Sequence, residues 1–235
     1  MNDASTLRMA AVFSFLSPLS IVLVIPLAGA VAAVGGGPGP IDFGDGATLE
    51  RLAALGAAPA RVDLLALLGP ALALPVGFGW YLLLRRTSRL ATLGILLWYL
   101  GMIFIVTQDA LQLAFVTRLP AAYAAADVVA RPAIVAVGAS LAAAIEVLAS
   151  VGRLGDFGFL LVALAILRCA STPKWIGAVG VLSSGLSLGA GILSLALPQV
   201  TWLGLGVPIG IVLLLVCIAA LGVVMLREAN KEVTP

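Results

Sequence analysis

Six long apolar runs, separated by short segments where the charges gather, constrain this chain more than any other feature. Only 10% of its residues are charged and 62% are hydrophobic, with a mean hydropathy of +1.19. A soluble domain carries about 25% charged residues, so these side chains cannot cover a water-facing globule. In hydrocarbon every backbone N–H and C=O must find its partner within the segment, which selects helices. The expected fold is therefore an all-α integral membrane protein, one membrane domain over 1–235. Its six transmembrane helices fall at roughly 9–34, 64–84, 90–117, 151–167, 175–197 and 203–226.

The first run imitates a secretory signal, because Arg8 precedes it and Ala28-Gly29-Ala30 resembles a cleavage site. Met9–Val34 is far longer than the 7–15-residue core of a signal, so it reads as a retained span. Basic residues orient the bundle. Placing the N-terminus inside puts Arg8, Arg85, Arg86, Arg89, Arg168, Lys174, Arg227 and Lys231 on the cytoplasmic side. Arg51, Arg61, Arg118, Arg131 and Arg153 then lie outside. Short inner loops rich in Arg and Lys decide orientation, so both termini are expected in the cytoplasm and the protein in the inner (plasma) membrane. Trp175 and Trp202 suit the two interfaces.

Two longer excursions lie on the outer side. The first begins with the loop Gly35–Pro40 and continues into a helical segment at about 46–60, with Asp45 placed to cap Thr48-Leu49-Glu50-Arg51-Leu52. The second is a long helical excursion between the third and fourth spans, about 121–150. If Ala133–Val151 were itself a crossing, only Phe157–Leu167 would remain before Arg168. That remnant reaches roughly 16 Å, half of the ~30 Å core. It therefore reads as a helix against the outer leaflet, running into the fourth span at Gly152 or Gly155. Its wheel carries a small and polar stripe of Ala139, Ala142, Ala143, Glu146, Ser150 and Arg153, and a bulky one of Val137, Leu141, Ile145 and Leu148.

Several chemistries are excluded or unsupported. A net charge of +2 with no basic cluster argues against nucleic acid. Cys169 and Cys217 make no disulfide framework and read as small apolar residues. The absence of histidine removes His-based triads, His zinc sites and the usual proton shuttle. Asp42-Phe43-Gly44 and Asp156-Phe157-Gly158 spell a kinase triplet without any companion signature. Asp42, Asp45 and Gly46 lack the closing Glu of a calcium loop. No cofactor and no metal are expected.

One constellation carries functional weight. Asp109 lies with Gln108 and Gln112 inside the apolar stretch Leu90–Thr117. A carboxylate there costs roughly 2.5–3.5 kcal/mol on insertion scales and marks a functional site by default. The three residues share one helical side, being three and four apart. They read either as the lining of a wettable pocket or as a polar staple between helices. Asp63, Glu146, Arg153, Asp156 and Arg118 are the candidate partners on the same side, with Arg153 and Asp156 spaced to pair with each other. The leading expectation is binding or transport of a small solute, ion or lipid through an outward-facing polar pocket around Asp109. An intramembrane enzyme using carboxylate acid chemistry on a lipid or isoprenoid is the rival, though only 6% of the chain is aromatic. A third reading is a non-catalytic subunit, joined through the small-residue faces of Gly185 and Gly189 or Gly206 and Gly210.

The Gln108-Asp109 pair, the long outer excursion before the fourth span, and the inner loop Arg168–Pro173 followed by Trp175-Ile176-Gly177 together resemble a bacterial six-pass membrane family of unknown activity. The resemblance would span most of residues 9 to 226 and implies architecture, not mechanism. That family tends to carry a polar or His-containing signal before its fourth span. No histidine stands here, so no role at that position transfers.

Overall fold

A computed structural model of the chain describes residues 3–35, 43–85, 88–170, 172–197, 200 and 205–231, with the backbone alone for 28–35 and 194–196. Regular structure among them is helical throughout: α1 (Asp3–Gly35), α2 (Gly46–Leu55), α3 (Ala58–Leu84), α4 (Arg89–Ala125), α5 (Arg131–Gly152), α6 (Leu154–Arg168), α7 (Lys174–Ala196) and α8 (Gly206–Lys231). Six stretches are long and apolar enough to cross a membrane: Asp3–Leu27, Ala58–Leu84, Arg89–Ala125, Arg131–Arg168, Lys174–Leu193 and Gly206–Lys231. The Gly36–Pro40 part of the first outer loop, Asp42, Arg86 and Trp202 lie outside the described residues.

Several boundaries differ from the sequence reading. α4 runs through Pro120 to Ala125, because an internal proline is tolerated where neighbours re-satisfy the freed carbonyl. The expected helix over 46–60 ends at Leu55. Gly56, at φ +60°, turns its N–H back to the Ala53 carbonyl at 3.2 Å, and α3 starts anew at Ala58. The fourth apolar stretch is broken once, at Arg153, between α5 and α6.

Two compact units make up the chain. The first comprises Met1–Pro18, Ala71–Ile103 and Gly152–Pro235. Lipid tails are as apolar as leucine, so helices here must gain from close packing and not from water expulsion. Glycine supplies the approach. A Cβ on Gly158 would strike the backbone of α4 at Trp98 and Gly94, and one on Gly101 would strike Gly155 and Gly152. Beside this backbone-to-backbone contact, Trp80 lies 4.8 Å from Trp98 and 5.4 Å from Phe159 between ring centroids, all three fully buried. Gly206 and Gly210 are filled by α7, against Ala190, Ser183 and Ser187, whereas Gly185 and Gly189 meet nothing within 4 Å. Ion pairing fixes one end, with Arg85 and Asp3 2.5 Å apart.

The second unit is Leu19–Pro70 and Phe104–Val151. Its core gathers Phe43, Leu49, Leu52, Val116 and Tyr123, with Phe115, Leu119, Ile134, Val135, Ala142 and Ile145 packed around them. α2 forms because Asp45 caps it: the carboxylate accepts from the N–H of Ala47 at 3.2 Å, the N–H of Thr48 at 3.0 Å and the Thr48 hydroxyl at 2.8 Å. Gly138 lets α5 pass under the Phe43 carbonyl. Arg131 stacks 5.1 Å from the Tyr123 ring centre and reaches Glu50 at 3.6 Å.

Two outcomes follow from this packing. Gly158→Leu should destabilise the protein in detergent by about 1–3 kcal/mol or prevent its folding, since overpacking at a backbone contact has no relief; Gly185→Leu should leave the thermal midpoint unchanged. The hydrogen bonds to Asp45, chiefly from the Thr48 hydroxyl and the Ala47 N–H, hold its carboxyl below the ordinary aspartate range. Its capping contribution is therefore full above the unfolded aspartate pKa of about 3.9 and is lost as pH falls through the lower folded value. Hydrogen exchange at Ala47 and Thr48 should quicken over that acid window, and should be fast at every pH in Asp45→Ala.

Candidate functional site

α3 and α4 bring acids together in the second unit. Because α3 restarts at Ala58, Asp63 stands in its second turn, and α4 presents Gln108, Asp109 and Gln112 along one side. Gln112 Nε2 donates to Asp63 Oδ1 at 3.2 Å and so joins the two helices. Asp63 Oδ2 is buried with no hydrogen-bond partner. Asp109 lies close enough for the two carboxylates to feel each other's charge. All four side chains are half-buried. Among the described residues no basic group forms an ion pair with Asp63 or Asp109.

Asp109 lies within the Arg89–Ala125 stretch, which is long and apolar enough to cross a membrane. The acceptors of the cluster are all oxygens, from two carboxylates and two carboxamides. Such a set suits hard cations and protons. No group of three or more His, Cys, Asp or Glu with metal-binding geometry occurs among the described residues, so two carboxylates set the site's charge.

The remaining sequence candidates lie elsewhere. Arg118 and Glu146 are exposed, and no hydrogen bond or ion pair ties either side chain to Asp63 or Asp109 among the described residues. Arg153 and Asp156 belong to the first unit. Spacing alone suggested that they pair with each other. Neither forms a salt bridge among the described residues; α7 engages each of them instead. Ser187 Oγ donates to Asp156 Oδ2 at 2.6 Å, and Arg153 Nη1 donates to the Ser187 carbonyl at 3.4 Å. Gly191 leaves the guanidinium its seat, since a Cβ there would run into Nη1.

Ser187, Ser184 and Gly191 were missed by the sequence reading. Ser187 sits inside Gly185-Leu186-Ser187-Leu188-Gly189, read as a packing face alone. The available signal was the recurrence of hydroxyls at Ser183, Ser184 and Ser187, three and four apart within one apolar span. Ser183 donates to the Gly210 carbonyl at 2.8 Å, while the Ser184 hydroxyl is buried without a partner. Comparison with known protein families, curated proteins and solved structures finds no match to this chain.

The Gln112–Asp63 bond can be checked by a double-mutant cycle. Gln112→Leu should cost about 1 kcal/mol in detergent unfolding, reduced from the usual value for a charged acceptor by partial exposure. Adding Asp63→Leu should recover most of that loss, because both partners are then removed together. Strict additivity of the two changes would mean the bond does not form.

Proposed function

We propose that this is an inner-membrane protein, with both termini in the cytoplasm, that binds or moves a small solute or ion through a polar pocket around Asp109 opening to the outer side. One observation carries the reading: Asp63 and Asp109 come within electrostatic reach of each other on two apolar helices, joined by Gln112, with no basic side chain paired to either among the described residues. A carboxylate pair held in a span is expensive unless its charge is neutralised in use. With no guanidinium or ammonium fulfilling that role, a proton or a small cation does so. The bias of Arg and Lys toward the short segments 85–89 and 168–174 supports the orientation. The resemblance to bacterial six-pass proteins belongs to the same proposal and concerns architecture only.

Purified protein in liposomes with an enclosed pH-sensitive dye should pass protons or sodium when a gradient of either is imposed. Asp109→Asn should lower that flux about tenfold or more, the scale on which loss of a charged ligand acts. Size-exclusion and helical content should remain those of the parent. Equal flux in parent and variant, or none in the parent for either ion, would falsify the cation reading.

A further inference from the structure

The Arg153–Asp156 cluster of the first unit carries an inference separate from the acidic pair. The two residues are three apart at the start of α6, the spacing at which an arginine and an aspartate on one helix ordinarily meet. They do not form a salt bridge, although they remain near enough for the arginine's charge to act on the carboxylate. α7 holds them apart. Asp156 Oδ2 is engaged by the Ser187 hydroxyl, and Arg153 is drawn over Gly191 to the Ser187 carbonyl. The other guanidinium donors and Asp156 Oδ1 have no partner among the described residues. One turn along the same side of α7, the Ser184 hydroxyl is 1% exposed and has no partner either. Neither charge is closed in a salt bridge among the described residues, and polar capacity that is left open on an apolar helix pair marks a binding site by default.

We propose that this cluster binds a zwitterionic group, its anionic end on Arg153 and its ammonium on the free oxygen of Asp156. A planar guanidinium with open donors takes a phosphate or carboxylate, and a carboxylate already holding one hydroxyl takes an ammonium with the other oxygen. Such a ligand leaves the site neutral, which neither an anion nor a cation alone does. The same chemistry comes from two sources, a phosphatidylethanolamine headgroup or a free amino-phosphate or amino acid. Half-exposure of Arg153 and Asp156 gives the group its entry.

The test uses the full chain in detergent, with its thermal midpoint titrated against dioleoyl phosphatidylethanolamine, against dioleoyl phosphatidylglycerol with the same tails, and against soluble phosphoethanolamine. A saturable rise is expected with the first and at least tenfold weaker binding with the second. A rise with phosphoethanolamine as well assigns recognition to the headgroup alone; its absence assigns the lipid as source. Arg153→Gln and Asp156→Asn should each weaken binding about tenfold or more. Ser184→Ala keeps the proposal testable where those variants fail to fold. It removes an unsatisfied group, so the midpoint without probe should hold or rise, while the probe-induced rise shrinks. No rise with phosphatidylethanolamine or phosphoethanolamine, equal rises with both lipids, or binding untouched by Asp156→Asn and Ser184→Ala would overturn the assignment and leave a water-filled clip between α6 and α7.

Discussion

Backbone-to-backbone contact between α4 and α6 is the constraint on which the first unit depends. Gly94 and Gly101 on α4 meet Gly155 and Gly158 on α6 so closely that no side chain fits between them. The contact replaces the hydrophobic drive that lipid cannot supply with dispersion between many close atoms.

The two polar clusters illustrate opposite ways of carrying charge in an apolar chain. Around Asp63 and Asp109 the charges are alike, and the Gln112 amide is given to Asp63. Around Arg153 and Asp156 the charges are opposite, yet α7 keeps them from cancelling each other. A pair meant only to stabilise would close on itself, because a desolvated ion pair gains most at contact. Separation by Ser187 and Gly191 sacrifices that gain.

Much of the fold was legible because it follows from local chemistry. Apolar length marked the six spans, and Asp45 ahead of Thr48 marked the cap of α2, since both signals act within a few residues. The polar side of α4 was equally legible from spacing, and Asp63 was a candidate beforehand. What the sequence does not encode locally is which helix answers which. Arg153 and Asp156 look like mutual partners at three residues' separation, and only the arrival of α7 redirects them. The same limit explains the glycines: Gly185 and Gly189 have the spacing of a packing motif and meet nothing, while Gly94, Gly101, Gly155 and Gly158, which lack it in obvious form, make the tightest crossing.

The break at Arg153 connects these observations. α6 alone has 15 residues, about 22 Å of helix, too short for a hydrocarbon core near 30 Å. The fourth stretch that is long and apolar enough to cross is Arg131–Arg168, which includes α5. One face packs Ile134, Val135, Ala142 and Ile145 into the core of the second unit. The other exposes Val137 and Val147, and its serines give their hydroxyls to their own helix, Ser140 to the Ala136 carbonyl at 3.0 Å and Ser150 to the Glu146 carbonyl at 2.9 Å. Hydroxyls satisfied within the helix need no water. The break falls beside Gly152 and Gly155, which Gly101 of α4 approaches, and at Arg153, which reaches the Ser187 carbonyl of α7. One interruption thus serves both the packing against α4 and the placement of a charge against α7.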